Sequence, residues 1–396
     1  MLSMEMIQDA RNVLSGVARV TPLYNAPAIG KNIYIKAENL QMTGAFKLRG
    51  AYYKISCLTD EEKAKGVIAC SAGNHAQGIA YSATKNGVRS IICMPAIAPL
   101  SKIEATKNYG AEVVLVDGVY DDAYNKAVEL TKEHGYTFAH PFNDERVIAG
   151  QGTIALEILE QLPEAEQVVV PIGGGGLISG VAYAIKHLSP DCRVIGVQAE
   201  GAPSMAESVR MGRIVELPSV ATIADGIAVK KPGSLTFELC EKYVDEIVTV
   251  SEDEIASAIL TLMETQKTVA EGAGATSVAA AMFGKIDTSK KTVCLVSGGN
   301  IDVSILSRVI TRGLTKTGRI TEIATKVADK PGQLTTLLQL IAKTGANIIS
   351  ISHNREDEKS EINSCVVSMT LETRNPVHVE EIHETLAKSG YAILNY

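Results

Sequence analysis

Short apolar runs rich in β-branched residues alternate with segments of helical periodicity along most of the chain. Eight of these runs predict strands, at Ile33–Ile35, Val67–Ala69, Ser90–Cys93, Glu112–Val116, Gln167–Val170, Arg193–Val197, Ile247–Val250 and Thr292–Val296. Helical segments lie between most of them, such as those from Tyr120 to His134, Gly175 to His187 and Glu252 to Gln266. This alternation is typical of parallel sheets with helices on both faces. The pattern therefore predicts an α/β fold, in which ligands bind at the carboxyl ends of strands.

The pattern changes near Thr315, and the residues beyond it predict a separate small module. Its predicted elements are a strand, a helix, two strands, a helix and a strand, at Arg319–Val327, Leu334 to Ile341, Asn347–Ser352, Ser364–Leu371, Val377 to Lys388 and Tyr391–Leu394. The order βαββαβ indicates a ferredoxin-like module over residues 319–396.

Composition and charge narrow the class of protein. The chain has 396 residues, a length that suits two to three domains, and 46% of them are hydrophobic, which is typical of a globular protein. Its net charge is −7. No cluster of lysines and arginines stands out, so we expect no nucleic-acid partner. The seven cysteines include no C-x-x-C pair, which argues against a disulfide framework and a zinc knuckle and favours a reducing compartment.

The amino-terminal segment and the overall hydropathy argue against a membrane protein. Glu5 stands where a signal peptide would carry positive charge, and the apolar residues from Met6 to Val17 follow helical spacing. No window approaches the roughly 18 apolar residues of a membrane span. We therefore expect a cytoplasmic protein with no membrane partner.

Four glycines in a row, Gly173–Gly176, separate a predicted strand from a predicted helix. Backbone N–H groups without side chains can wrap an anion, and the start of the helix adds a positive dipole end. The dinucleotide fingerprint G-x-G-x-x-G fails here, since the sixth residue is Ile178 or Ser179 depending on the register. Glu200 follows the next strand, where a ribose-binding acid would stand, so a dinucleotide site stays open.

Lys47 lies in the segment Thr43–Ala51 between Phe46 and Leu48. A lysine among apolar neighbours loses proton affinity and can serve as a nucleophilic amine, although most lysines are solvated surface charges. A polar loop, Ser71–Gly78, follows another predicted strand, and its simpler interpretation is a helix-capping turn. The segment Ser297–Asn300 follows a third strand, and there the simpler interpretation is an ordinary turn.

Lysine, polar loop and tetraglycine, in this order, resemble the pyridoxal-phosphate-dependent threonine/serine dehydratases, or threonine ammonia-lyases, over roughly residues 1–315. The resemblance implies two parallel-sheet, three-layer subdomains of fold type II, as in the tryptophan synthase β chain. The smaller one, about residues 48–145, would be inserted in the larger one, about 1–47 plus 146–315. It also implies deamination of L-threonine to 2-oxobutanoate, with L-serine as a second substrate. At position 45 the family usually has serine, whereas this chain has alanine.

The resemblance also assigns roles to residues. Lys47 is expected to hold pyridoxal phosphate as a Schiff base and to act as the base at Cα, and Ser297 to hydrogen-bond the pyridine nitrogen. Cofactor contacts are expected at Phe46, Lys47, Asn74, Gly173, Gly174, Gly175, Gly176, Leu177, Gly226 and Ser297. Substrate contacts are expected at Ser71, Ala72, Gly73, Asn74 and His75. The segments Ala224–Ile227 and Ala270–Ala275 are expected to line the pocket.

Three different activities are also compatible with this pattern of residues. Serine racemases of this family carry a hydroxyl at the position of Ala72, so its absence favours elimination over racemisation. A β-replacement synthase and a non-catalytic amino-acid sensor are compatible as well.

Some relatives bind a divalent cation near Glu200, but a partner carboxylate is absent because position 206 is alanine. We therefore expect no tightly bound divalent ion, while a monovalent ion stays open.

With Asp329–Gly332 opening its first helix, the C-terminal module resembles an ACT domain. The resemblance implies an amino-acid effector bound near Asp329, Gly332, Gln333, Leu334, Asn347 and Ile348, and a homodimer or homotetramer. The effector's identity, the sign of its effect, and a biosynthetic or a degradative role are not set by the sequence.

Overall fold

The computed structural model describes residues 1–355 and 362–394. Its helices are α1 Met4–Leu14, α2 Lys47–Ser56, α3 Asp60–Lys65, α4 Asn74–Lys85, α5 Leu100–Asn108, α6 Tyr120–His134, α7 Glu145–Gln161, α8 Gly176–Leu188, α9 Ser204–Met211, α10 Ser234–Tyr243, α11 Glu252–Gln266, α12 Gly272–Met282, α13 Val303–Lys316, α14 Gln333–Lys343 and α15 Pro376–Lys388. Its strands are β1 Leu23–Asn25, β2 Ile33–Ala37, β3 Val67–Cys70, β4 Ser90–Pro95, β5 Glu112–Val116, β6 Thr137–Phe138, β7 Gln167–Pro171, β8 Arg193–Ala199, β9 Glu246–Val250, β10 Thr292–Val296, β11 Ile320–Ala328, β12 Asn347–Asn354 and β13 Ser364–Glu372. None of the helices in these ranges is long and apolar enough to cross a membrane.

The chain divides into two compact units, residues 1–305 and 306–396. The first contains a six-stranded sheet in the order β1-β2-β10-β7-β8-β9, parallel except for β1 at its edge. Every residue of β7 and of β10 is buried, because both strands lie inside the sheet under helices. The predicted α/β fold with parallel sheets is confirmed. The edge strand β1 was not predicted, since three residues are too few to show a period.

A second sheet, also in the first unit, lies within the sequence that separates β2 from β7. Its four strands are parallel in the order β5-β4-β3-β6. Hydrophobic residues of α2, α4 and β4 pack together in its core, including Ile55, Ile79 and Ile92. The two-residue strand β6 was also missed by the sequence. The chain thus leaves the first sheet after β2, builds the second, and returns through α7.

Helix α7 fixes the positions of two other helices through close backbone contacts. A Cβ atom on Gly150 would lie 2.6 Å from the carbonyl oxygen of Arg49 in α2. A Cβ on Gly180 of α8 would lie 2.6 Å from the backbone nitrogen of Gly152. Such approach leaves no room for side chains, so glycines are required at these crossings. The starts of α2 and α8, at Lys47 and Gly176, are therefore held by the same helix.

A buried ionic network also anchors α2. The guanidinium of Arg49 makes two hydrogen bonds of 2.8 Å to the carboxylate of Glu38 and bonds of 2.6 and 3.0 Å to that of Glu157. Nζ of Lys36 donates to Glu157 at 2.5 Å and to the carbonyl of Thr21 at 2.7 Å. Two positive and two negative groups pair inside the protein, which satisfies each buried charge.

The second unit contains an antiparallel sheet in the order β11-β13-β12, packed against α14 and α15. The predicted last strand, Tyr391–Leu394, forms only an isolated antiparallel bridge between Ile393 and Thr325. That bridge lies on the free edge of β11, which is where a ferredoxin-like fold puts its last strand. The mixed strand and helix order predicted for this unit is otherwise confirmed.

Candidate active site

Lys47 is the first residue of α2, and its amine lies among apolar and carbonyl groups. Nζ donates a hydrogen bond of 2.9 Å to the carbonyl oxygen of Pro141 and lies 5.4 Å from the ring centre of Phe46. Burial lowers the pKa of Lys47 to about 8, although the nearby carboxylate of Glu271 favours the charged form. A substantial fraction of this amine is therefore neutral near physiological pH, as a nucleophile or a base requires.

Glu271 is the carboxylate whose charge acts on the amine of Lys47. It occupies the N-cap position of α12, and only 4% of its surface is exposed. Its pKa is raised to about 7, first by burial and then by Asp225, while the hydrogen bond from Asn74 and the charges of Lys102 and Lys47 oppose the rise. Two groups of opposite type thus titrate within a narrow range around neutrality, which is typical of catalytic sites.

Asn74, the first residue of α4, is held from both ends of its amide. Its Nδ2 donates to Oε1 of Glu271 at 2.6 Å, and its Oδ1 accepts from Nδ2 of Asn300 at 2.8 Å. Asn300 also donates to the carbonyl of Thr43 at 2.8 Å. In the part of the chain that the structure describes, no protein group accepts the second Nδ2 hydrogen of Asn74, which therefore remains for a ligand. Its direction is set because the rest of the amide is fixed.

The tetraglycine turn leads from β7 into α8 with Gly175 in the left-handed region at φ 96°. Within the described residues, the backbone N–H groups of Gly173–Leu177 donate to no protein acceptor. N–H groups that lack a hydrogen-bond acceptor at the start of a helix are typical of anion-binding sites. The predicted glycine turn is therefore present, and its N–H groups are available to a ligand.

Neighbouring residues leave no room for a side chain at Gly174, Gly175 or Gly176 of this turn. A Cβ on Gly174 would overlap the ring of Phe142, and one on Gly176 would lie 2.8 Å from Cβ of the same residue. A Cβ on Gly175 would lie 2.7 Å from Cβ of Thr236, whose hydroxyl donates to the carbonyl of Gly174 at 2.6 Å.

Ser297 directly follows β10 and is almost fully buried, with 2% of its surface exposed. Its carbonyl accepts the N–H of Phe46 at 3.0 Å, and Ala45 forms a bridge with Gly298. A Cβ on Gly298 would overlap Oε1 of Glu271. The segment after β10 therefore joins the start of α2 to the carboxylate.

The predicted substrate loop lies between β3 and α4. The N–H of Gly73 donates to Oγ of Ser71 at 3.2 Å, and a Cβ on Gly73 would meet no protein atom within 4 Å. Ala72 is partly exposed, so the loop borders open space. His75 is buried, and its Nε2 bonds the carbonyl of Ala139 at 2.8 Å. Burial, together with Lys47, lowers the pKa of His75 to about 3, so this ring stays neutral and serves packing.

The predicted site residues of the first unit converge through short links. Pro141 contacts Lys47, and the next residue, Phe142, packs on the tetraglycine turn. A Cβ on Gly173 would lie 3.0 Å from Ile227, and one on Gly226 would lie 3.4 Å from Oε1 of Glu271. Four helices begin at this site, at Lys47, Asn74, Gly176 and Gly272, and their positive dipole ends favour an anionic ligand.

Sequence reasoning missed several participants. It named the segment containing Glu271 without giving that residue a role, and it gave none to Phe142, Thr236 or Asn300. Asn300 carried a signal, because it follows Ser297 at the end of a buried strand. Phe142 and Thr236 carried none, since only the folded chain brings them to the turn.

The six predicted effector residues of the second unit fall into two groups. Asp329, Gly332, Gln333 and Leu334 lie at the turn before α14, beyond the carboxyl end of β11. Asn347 and Ile348 begin β12, where Asn347 pairs with Glu372. Glu372 in turn pairs with Ile320 at the start of β11, so the two groups lie at opposite ends of the sheet. One chain therefore does not bring them together.

Comparison with known proteins assigns the family. The sequence profile of the pyridoxal-phosphate dependent enzymes matches residues 14–298. An L-threonine ammonia-lyase of Thermotoga maritima is 51% identical over 398 residues, covering 99% of each chain. The processed threonine deaminase isoform 2 of Solanum lycopersicum superimposes with a TM-score of 0.73 at 40% identity, covering 78% of this chain and 88% of that one. Maize serine racemase superimposes with a TM-score of 0.74 at 35% identity, covering 80% and 98%. The chain belongs to the pyridoxal-phosphate dependent enzyme family.

Proposed function

We propose that this chain is an L-threonine ammonia-lyase, which converts L-threonine to 2-oxobutanoate and ammonia and accepts L-serine as a second substrate. The observation that carries the proposal is the amine of Lys47, whose pKa is lowered to about 8 beside the Asn74–Glu271 pair. The relative from Thermotoga maritima, matched over 99% of both chains, is named for this activity.

The residues of the site fit pyridoxal phosphate. Its phosphate would accept hydrogen bonds from the free N–H groups of Gly173–Leu177, in a turn where a Cβ added at Gly174, Gly175 or Gly176 would collide with a neighbour. Lys47 would hold the cofactor covalently, while Asn74 and Ser297 would bond polar atoms of its ring. When bound, the cofactor supplies an electron sink for charge that develops at Cα of an amino acid.

The base for the Cα proton is Nζ of Lys47. At pH 7.5 an ordinary lysine is almost entirely protonated, whereas a pKa near 8 leaves roughly a quarter of the amine neutral. The carbonyl of Pro141 accepts from Nζ and holds its position. The amine is therefore both available to accept a proton and directed by a fixed partner.

Glu271 positions Asn74 and controls the charge near the amine. Its carboxylate accepts the Asn74 amide hydrogen and fixes which amide hydrogen faces a ligand. Because its pKa is raised to about 7, it holds a proton in a fraction of molecules at neutral pH. Ser297, a neutral partner, offers a ring nitrogen one hydrogen bond without a full negative charge, which favours elimination over transamination.

Serine racemase is the second candidate, because the maize enzyme shares the fold over 80% of this chain. Racemisation requires a proton donor on the face of Cα opposite Lys47. The proposed substrate loop offers Ala72 at the position where racemases of the family carry a hydroxyl. A methyl group cannot transfer a proton, so elimination is favoured.

The proposal is tested by purified full-length protein supplied with L-threonine and L-serine. We expect 2-oxobutanoate and pyruvate, with little D-serine, and loss of both products in Lys47→Ala. Lys31→Ala, which changes an exposed lysine, serves as the control and should retain activity. D-serine as the main product would favour the racemase, and turnover that survives in Lys47→Ala would refute the site.

For the second unit we propose the role of an ACT-like regulatory domain that binds an amino-acid effector between two chains. An effector that contacts both predicted groups would need a second copy, since Asp329 and Asn347 lie at opposite ends of the sheet. A homodimer or homotetramer supplies that copy. Titration of isoleucine, valine and threonine against the dehydratase rate, with sedimentation of the same samples, tests both parts.

The proposed compartment is the cytoplasm. The seven cysteines, from Cys57 to Cys365, are all unpaired, and all but Cys57 are buried. Free thiols are typical of a reducing compartment. Cell fractionation that recovers the protein outside the cytoplasm would contradict this part of the proposal.

A further inference from the structure

A carboxylate, an imidazole and a thiol meet at one end of the sheet in the second unit. Asp329 follows β11, His353 lies near the end of β12, and Cys365 lies near the start of β13. One ligand atom of each residue lies within 4.8 Å of those of the other two. Nε2 of His353 is 2.9 Å from Sγ of Cys365. The proposed lyase chemistry uses none of these groups.

The backbone holds the three residues on adjacent strands. Cys365 pairs with Val327 across one side of β13, and His353 pairs with Val367 across the other. Because residues two apart on a strand face the same side, the register puts His353 beside Cys365. The N–H of Asp329 donates to the carbonyl of Asn363 at 2.9 Å, which ties the third residue to the start of β13.

We infer that Asp329, His353 and Cys365 form a binding site for a divalent transition metal ion of the zinc class. Zinc takes thiolate, imidazole and carboxylate ligands at about 2.0 to 2.3 Å in a tetrahedron, and three protein ligands leave one position for water. Magnesium and calcium prefer oxygen ligands alone, so this mixed set disfavours them.

Binding requires two local changes. Arg355 now pairs with Asp329, with Nε 3.1 Å from Oδ2, and this exposed ion pair must release one carboxylate oxygen to the metal. The thiol of Cys365 must lose its proton to solvent as the metal–sulfur bond forms. Burial raises the pKa of the Cys365 thiol, Asp329 raises it further, and Arg355 opposes the rise. The metal must therefore displace the thiol proton at neutral pH.

The sequence spacing of these ligands matches no metal motif, because they are 24 and 12 residues apart and only the sheet brings them together. The site differs in kind from the divalent site near Glu200 that the sequence argued against. Asp329 also belongs to the proposed effector residues, so metal and effector binding are separated by using metal ions alone as the probe.

The test uses full-length holoenzyme freed of metal by a chelator. Zn²⁺ is titrated in competition with a chromogenic indicator, and Co²⁺ spectra are recorded against the metal-free holoenzyme. We expect one metal ion per chain and a thiolate-to-cobalt charge-transfer band. His353→Gln and Cys365→Ser should each weaken Zn²⁺ binding at least tenfold, and Cys365→Ser should abolish the band.

Matched controls are His383→Gln, which changes a partly exposed histidine of α15, and Cys57→Ser, which changes the one cysteine that is not buried. Both should bind Zn²⁺ like the unchanged protein. His353 is exposed, so His353→Gln keeps the test decisive if Cys365→Ser fails to fold. Absence of stoichiometric binding, or binding that is unchanged in His353→Gln, would overturn the inference, and neither result would affect the proposed lyase activity.

Discussion

The amine of Lys47 is expected to titrate far below an ordinary lysine when the chain is free of cofactor. Burial lowers its pKa from 10.5 to about 8 because the charged form loses solvent, and the carboxylate of Glu271 offsets part of this effect. At pH 7 the neutral fraction of Lys47 is then about 300 times that of a lysine with the ordinary value. That neutral fraction is what a nucleophile or a base at Cα needs.

The assay is trace acylation of the cofactor-free protein over a series of pH values. Mass spectrometry compares the labelling of Lys47 with that of Lys31, an exposed internal reference. The reactivity of Lys47 should rise with pH and level off, with a midpoint near about 8. In Glu271→Gln the attraction that favours the charged amine is lost, so the midpoint should move to lower pH.

The exposed Glu241 provides the matched control, since Glu241→Gln removes one negative charge on the surface and should leave the midpoint unchanged. A midpoint close to 10.5 would show that burial does not govern the amine. An upward move in Glu271→Gln would show that the carboxylate does not act on Lys47 by charge attraction.

Three further predictions test the turn, the buried network and the substrate loop. Gly174→Ala adds a methyl group that would overlap an aromatic ring, so it should lower the free energy of unfolding by about 1 to 3 kcal/mol. It should also reduce the amount of bound cofactor, measured by absorbance. Gly73→Ala should keep the cofactor and raise KM for threonine. Arg49→Met leaves the buried carboxylate of Glu38 without its ion-pair partner, while Glu157 keeps Lys36. It should lower the unfolding free energy in urea by about 3 to 5 kcal/mol, against less than about 1 kcal/mol for the exposed Arg11→Met. Ala72→Ser supplies a hydroxyl and should yield measurable D-serine from L-serine; an unchanged product ratio would argue against a role for this position.

The sequence predicted best those parts of the site whose signal lies within one short segment of the chain. Strand ends, a glycine run and a lysine in an apolar segment are local signals, and the fold brings Lys47, Asn74, Ser297 and the tetraglycine together as expected. Glu271 was harder, because its importance comes from burial and from the Asn74 amide 197 residues away. Contacts between distant segments leave no periodic mark on either segment.

The differences in the fold have the same physical origin. The short strands Leu23–Asn25 and Thr137–Phe138 form because neighbouring strands offer backbone partners, and they carry too few residues to show alternation. At Tyr391–Leu394 the pattern predicted a full strand, but only a bridge at Ile393 forms. The hydrogen bond from the N–H of Leu394 to Ala324, at 2.8 Å, still fixes this segment on β11.

The most direct test of the proposed chemistry is to locate the covalent link between protein and cofactor. Holoenzyme is reduced with borohydride, digested, and searched by mass spectrometry for a pyridoxyl-modified peptide. A single modified residue, Lys47, is the predicted result. Modification of another lysine, or none in a protein that deaminates threonine, would contradict the account.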